Sequence, residues 1–233
     1  MLAIIPARKG SKGLKNKNLK ILFGKPLICW TIEALLNSKK ISKVIVSTND
    51  ARVVKACKRY NIMVPVLRPE YLSQDDSLAI DVYKYEMNIY NENKNKKVND
   101  FLVALPTSPL RTYNDINKAI NKYQIKKPES LISCTKLSHP SNWALRLKKN
   151  MYIDYKKISK YNKLNRQSFV EEYVPNGAIY ILKLSNLIKY KSYYTPKTLA
   201  YIMPKEFSVD IDDINDFNYA EFIMSRNKKY FNL

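Results

Sequence analysis

Two groups of side chains in this chain have the types and spacing to do chemistry, and they stand at opposite ends of the sequence. Near the start, the apolar run Leu2-Ala3-Ile4-Ile5 breaks at Pro6 into a loop carrying Arg8, Lys9, Gly10, Ser11, Lys12, Gly13, Lys15, Lys17 and Asn18. The whole chain has only 4 glycines, and Gly10 and Gly13 sit here among cations. Glycine lets a backbone turn sharply or approach a ligand closely. A polyphosphate suits such a loop, because amide N–H groups can ring its oxygens while Arg and Lys neutralise its charge. Neither the Walker A spacing nor the three-glycine dinucleotide spacing is present, and a plain basic surface loop is the other reading. Near the end, Asp210 and Asp212 alternate with Val209 and Ile211, so an extended backbone points both carboxylates to one side. Like charges held so close repel unless a cation lies between them. Such hard oxygen ligands suit Mg²⁺, which is usually shared with substrate phosphates. The competing reading is that Asp212-Asp213 caps a last helix beginning near Asn215.

Other reactive residues carry less. The single histidine, His139, lies in Ser138-His139-Pro140-Ser141, which reads as a turn; it rules out a His-rich zinc site and is a poor catalytic base. Cys29, Cys57 and Cys134 lack CxxC spacing and read as buried reduced thiols. The net charge of +21 points toward nucleic acid, but the lysines are spread along the chain in Asn- and Tyr-rich segments. That distribution makes a solvated surface, and a non-catalytic polyanion-binding protein is kept only as an alternative. No apolar run approaches membrane-spanning length, and Met1–Ala7 is too short for a signal-peptide core. A cytoplasmic protein with no membrane insertion and no specific nucleic-acid partner is the expectation.

These residues have to be positioned by a regular scaffold. Strands are predicted at Leu2–Pro6, Lys43–Thr48, Met63–Leu67, Asp100–Leu105, Ser130–Thr135, Gly177–Leu182 and Ala200–Met203. Helices are predicted at Pro26–Asn37, Ala51–Tyr60, Ser77–Asn91 and Tyr113–Gln124, with a last one around Phe217–Met224. This βαβα rhythm predicts an α/β fold with a mainly parallel sheet and helices on both faces. The rhythm fails between about His139 and Asn176, where hairpin-like, highly charged sequence suggests an excursion such as a flap or oligomerisation arm. Ligands of open α/β sheets bind at the carboxyl ends of the strands. Pro6-Ala7-Arg8, Ser47-Thr48-Asn49-Asp50, Pro106–Arg111 and Val209–Asp213 are the polar stretches at those ends.

Taken in order, PARKGSKGLKNKN at 6–18, LRPEYLSQDDS at 67–77, LPTSPLRT at 105–112, RQ at 166–167, NGAIYI at 176–181 and VDID at 209–212 resemble the acylneuraminate cytidylyltransferases. These are the CMP-sialic acid synthetases and related CMP-nonulosonic acid synthetases. The resemblance implies a Rossmann-like nucleotidyltransferase domain at 1–138 and 174–233, with an inserted dimerisation and sugar-binding arm at 139–173. It implies a homodimer that moves CMP from CTP to the anomeric hydroxyl of a sialic acid-like α-keto sugar acid, releasing pyrophosphate. By the same resemblance, Arg8, Gly10, Ser11, Lys12, Lys17 and Asn18 form the CTP phosphate loop, Arg68 and Ser77 hold the cytidine end, and Thr107 meets nucleotide and sugar. Arg166, Gln167 and Asn176 resemble sugar-binding residues, Asp210 and Asp212 match the Mg²⁺-binding aspartates, and Arg8, Lys12, Lys17, Asp210 and Asp212 are the catalytic set. Two departures stand out. Lys9 replaces a common glycine, and Leu105 replaces the glutamine that usually precedes Pro-Thr-Ser and contacts the sugar. The acceptor therefore stays open among sialic, legionaminic, pseudaminic and other α-keto sugar acids. A nucleotidyltransferase for another sugar or nucleotide is the nearest alternative.

Overall fold

The run Leu2–Pro6 becomes strand β1 near the middle of a sheet because it is apolar on both faces. Ala3 and Ile5 pack to one side, Leu2 and Ile4 to the other, and none is more than 3% exposed. The computed structural model describes residues 1–10, 13–60, 62–92, 94–155, 170–231 and 233. A small antiparallel pair, β2 (Ile21–Leu22) and β3 (Lys25–Pro26), follows the N-terminal loop and leads into helix α1 (Leu27–Leu36). Then come β4 (Lys43–Ser47), α2 (Ala51–Cys57), α3 (Ala79–Asn91), β5 (Asp100–Val103), α4 (Tyr113–Lys126) and β6 (Ser130–Lys136). The chain continues through β7 (Tyr173–Lys183), α5 (Leu184–Tyr190), β8 (Thr198–Ile202), α6 (Ile214–Arg226) and α7 (Lys228–Phe231).

The main sheet has 6 strands in the order β4-β1-β5-β7-β6-β8. Every strand but β7 runs the same way; β7 lies antiparallel between β5 and β6. Helices α1, α2 and α4 cover one face through Ile28, Ile32, Val53, Ile116 and Ile120. Helix α3 covers the other through Val82, Tyr83 and Met87, joined by Leu187 of α5. A further cluster joins α6 and α7 to α1 around Trp30, Phe217, Met224 and Phe231, with Trp30 and Phe231 edge to face at 6.3 Å. Among the described residues no helix is long and apolar enough to cross a membrane.

The expected α/β scaffold is present, with local differences that have physical causes. The segment Met63–Leu67 is not a strand. Met63 alone bridges Ile45, its N–H reaching Val44 O at 3.1 Å, because Pro65 has no N–H with which to extend the ladder. Helix α3 starts at Ala79 rather than Ser77, whose hydroxyl instead donates to Tyr71 O at 2.8 Å. The excursion contains a short antiparallel hairpin through Leu147 and Ile153, as its patterning suggested. Its expected boundary at 173 falls on the first residue of β7, Tyr173, which pairs with Lys136. Residues 156–169 lie outside the described part.

Candidate active site

The carboxyl ends of β1 and β5 open onto a cleft made of two adjoining cavities of about 310 and 320 Å³, which share Pro6, Arg8 and Leu105. At the end of β1, the Thr48 hydroxyl donates to Ala7 O at 2.6 Å and the Arg68 N–H donates to Thr48 O at 2.8 Å. These bonds fasten three polar strand-end segments into one rim. Arg8 then projects from a fixed base. Its Nη2 pairs with Asp75 Oδ1 at 2.7 Å and its Nη1 donates to Ser73 O at 3.3 Å. Asn18 Nδ2 returns to Arg8 O at 3.1 Å, closing the cationic loop on itself. Gly10 turns the loop at φ +82°, a conformation L side chains rarely adopt.

The two ends of the sequence meet at this loop. Lys17 is buried, and its Nζ donates to Ile211 O and, at 3.0 Å, to Asp212 Oδ1. Gly13 lies so close to the acidic segment that a Cβ there would be 2.2 Å from Asp212 O. The Ile211 N–H donates to Thr107 O at 2.8 Å, tying the same segment to the Pro106-Thr107-Ser108 loop. Val209 and Ile211 are buried, Asp212 lines the cleft, and Asp210 is open on its outer side while its carboxylate is turned in against Gly177 and is desolvated there. Asp213, not Asp212, caps α6: its carboxylate accepts from Asn215 N at 2.7 Å and Asp216 N at 3.0 Å. Asp210 is thus left without a capping duty. Its Oδ2 would lie 3.1 Å from a Cβ at Gly177, and burial is the first cause of a pKa raised above the usual carboxylate range. The charge of Asp212 raises it further, whereas Thr107 and Lys17 pull it down. A carboxylate pair in this condition gains from a divalent cation. Among the described residues no group of 3 His, Cys, Asp or Glu could hold one alone, so an ion here would also need oxygens from water and a phosphate.

The other half of the cleft is lined by Arg68, Ser77, Tyr83, Tyr180 and Tyr193. The Tyr83 and Tyr193 rings lie 6.1 Å apart and those of Tyr180 and Tyr193 5.7 Å, forming an aromatic wall. Leu105 lies between the two halves and lines both. Its carbonyl accepts from Thr31 Oγ1 and Arg111 Nη1, each at 3.3 Å. Arg111 is 1% exposed, and the same nitrogen reaches Ser108 O at 3.2 Å and Ala178 O at 3.0 Å. Burial lowers its pKa to about 10, so the guanidinium is held at a cost that these carbonyls offset.

The expected site residues Arg8, Lys17, Asn18, Arg68, Ser77, Leu105, Thr107 and Asp212 therefore line one cleft, with Asp210 beside it against Gly177 and Gly10 in the loop that follows Arg8. Asn176 lies beneath the cleft. It is 3% exposed, its Oδ1 accepts from Ser133 Oγ at 2.6 Å, and its Nδ2 donates to Ser208 Oγ at 2.9 Å. Its amide braces β7 against β6, with both side-chain atoms engaged inside the protein. Ser11, Lys12, Arg166 and Gln167 lie outside the described residues. Sequence reasoning singled out Gly13 as a loop glycine without its partner Asp212, and missed Gly177 as a close-approach position, Arg111 as the clamp, and the Tyr180–Tyr193 wall. Glycine scarcity, which pointed to Gly13, was an equally usable signal for Gly177.

A mainly parallel α/β sheet with a cationic glycine loop and paired acids at its carboxyl edge defines a nucleotide-handling α/β protein. The match to known proteins narrows that class. A family model described as cytidylyltransferase matches residues 2–202, and the chain belongs to the cytidylyltransferase family. It is 38% identical over 230 residues to the N-acylneuraminate cytidylyltransferase of Escherichia coli O18:K1:H7, covering 98% of this chain and 53% of that protein. It is 30% identical to the CMP-N,N'-diacetyllegionaminic acid synthase of Legionella pneumophila, with 98% of each chain covered. The fold is similar to that of CMP:2-keto-3-deoxy-manno-octonic acid synthetase complexed with CTP, at a TM-score of 0.69 and 17% identity, covering 97% of this chain and 98% of that one. The chain spans about half the length of the Escherichia coli relative.

Proposed function

We propose that this chain transfers CMP from CTP to the anomeric hydroxyl of a sialic acid-like α-keto sugar acid, releasing pyrophosphate, and does so as a homodimer. The observation that carries the reading is the convergence of the Arg8–Asn18 loop and the Asp210–Asp212 segment on one cleft, joined through Lys17 and Gly13. The names of the relatives support the choice of CTP and of a sugar acid. The sugar hydroxyl attacks the α-phosphorus in line, a reaction governed by positioning and charge stabilisation. Arg8 faces the phosphates and must exchange part of its Asp75 pairing for them as CTP enters. Lys12 is assigned to the departing pyrophosphate. Lys17, already engaged by Asp212 and Ile211, lends its charge from the floor of the cleft. Arg68 and Ser77 hold the base and ribose end, while Arg166 and Gln167 are assigned to the sugar acid.

The donor set at Asp210 and Asp212 fits Mg²⁺, since two hard, mutually repelling oxygens share one side and lack enough protein ligands to close a site alone. When bound there, Mg²⁺ supplies charge to the α-phosphate and lowers the pKa of the attacking hydroxyl. Pyrophosphate release from CTP with a panel of nonulosonic acids tests the reading. At least one acid should support turnover, and Asp210→Ala or Asp212→Ala should lower kcat by roughly 100-fold or more. Turnover with no acid, together with indifference to both substitutions, sinks it.

A further inference from the structure

We infer that Asn176, which resemblance alone would place among the sugar-binding residues, is a positioning residue that seats the Asp210 carboxylate through a hydrogen bond to Ser208. The inference rests on the metal reading above, in which Asp210 and Asp212 share one cation. Strands β6 and β7 lose register at this point. Ile132 pairs with Tyr180 and Cys134 with Pro175, which leaves residues 176–179 to face Ser133 alone. Such a bulge breaks the ladder and re-aims the chain. Side chains take up its stranded N–H groups: Ile179 N donates to Ser133 Oγ at 2.7 Å and Ala178 N to Asn176 Oδ1 at 3.2 Å. Its carbonyls are claimed by the turn after β5. Asn176 O accepts the Ser108 hydroxyl at 3.0 Å, Gly177 O the Leu105 N–H at 3.4 Å, and Ala178 O the Arg111 guanidinium at 3.0 Å.

The bulge is the seat of Asp210. Gly177 stands there at φ +71°, and a Cβ on it would lie 3.0 Å from Ser108 Oγ and 3.1 Å from Asp210 Oδ2. The Asn176 amide ties this seat to the acidic segment. Its Oδ1 accepts from Ser133 Oγ at 2.6 Å as well as from Ala178 N, and its Nδ2 donates to Ser208 Oγ at 2.9 Å and Met203 Sδ at 3.4 Å. An amide has two acceptor and two donor places, and here all are filled from within the protein. The Ala178 N–H can only donate, which fixes the way the amide faces. Ser208 in turn donates to Pro204 O at 2.8 Å, so its hydroxyl is held in place to accept from Asn176. Asp210 is thereby fastened on both sides, ahead of it by Ser208 and behind it by the Ile211 N–H on Thr107 O at 2.8 Å. Loss of the Ser208 bond frees one side, and the carboxylate can lift from Gly177. Mg²⁺ demands near-ideal geometry and tolerates little such movement.

The test is calorimetric binding of CTP with and without Mg²⁺ to the wild-type chain, Ser208→Ala and Asp210→Ala, with turnover measured beside it. Ser208→Ala should keep the metal-free CTP affinity and lose roughly fivefold of the gain that Mg²⁺ brings, the scale of one neutral hydrogen bond. In turnover the half-saturating Mg²⁺ concentration should rise by a similar factor while KM for the sugar acid holds. A merely structural bond would lower Tm and leave the Mg²⁺ response untouched. A folded Ser208→Ala protein with the wild-type Mg²⁺ response, or one whose loss falls on KM for the sugar acid, overturns the inference. Should Ser208→Ala not fold, Asn176→Asp takes its place, since it keeps the acceptor for Ser133 and Ala178 and removes only the donor to Ser208; the same outcomes decide. A wild-type chain whose CTP affinity ignores Mg²⁺, or an Asp210→Ala protein that keeps the full gain, refutes the metal reading itself, and this inference with it.

Discussion

At position 105 the cleft presents a branched apolar side chain between its phosphate-facing half and its aromatic half. Leucine has no donor or acceptor, so a substrate polar group placed against it must keep its water or lose a hydrogen bond. The neighbouring Tyr180 and Tyr193 rings extend the apolar character, which favours acceptors that bring a methyl or acyl group to this point. Leu105→Gln should therefore shift the acceptor preference toward N-acetylneuraminic acid by roughly tenfold or more in kcat/KM. The CTP KM should change less. An acceptor panel run on both proteins reads this directly, and an unchanged ranking removes Leu105 as the selector. Backbone anchoring makes the substitution readable, because Thr31 and Arg111 hold the Leu105 carbonyl and not its side chain.

The cleft depends on elements being fastened to one another at points where no ordinary side chain fits. Gly13 passes over Asp212 O with room for hydrogen alone. In Gly13→Ala the loop must lift from the acidic segment, and a displacement of this order costs roughly 100-fold in kcat/KM; steady-state kinetics alongside a melting curve would separate this from unfolding. Arg111 fastens the Leu105–Ser108 turn to β7 through Ala178 O. All three bonds leave Nη1 at the tip of the arginine, and lysine carries its charge on a shorter stem that stops short of that point. Arg111→Lys should cost about 2 kcal/mol, seen as a drop in Tm of about 4–8 °C. How much of this was legible varies with the physics. Alternating apolar runs revealed β1, β4, β5 and β6 because burial of both faces writes itself into composition. The antiparallel direction of β7 was not legible, since a run such as Ala178–Leu182 reads the same in either direction. The aspartate contest was resolvable only in three dimensions, where Asp213 takes the cap and frees Asp212 for Lys17. Arg111 stood in a quoted motif, yet nothing in its spacing said that it would be buried against three carbonyls.

For the molecule as a whole, the excursion after β6 sets charge against apolar surface. Leu145, Leu147, Met151, Tyr152 and Tyr155 are each more than half exposed, the density of apolar surface that the proposed homodimer would bury. The same chain carries a net charge of +21, so two copies repel at long range. A homodimer joined through this segment must win by apolar burial against that repulsion, which gives it a distinctive response to salt. Screening shortens the reach of the repulsion to about 10 Å at 0.1 M ionic strength, while apolar contact is little affected. Light scattering should then give twice the 27.2 kDa chain mass, with the dimer strengthened on going from low to moderate salt. Adhesion to a polyanion has the opposite slope, because counterion release weakens it as salt rises. Replacing Met151 and Tyr152 with Ser should shift the mass toward the monomer. A wild-type mass equal to one chain at every salt concentration would remove the homodimer from the proposed function while leaving the cleft chemistry to be judged by turnover.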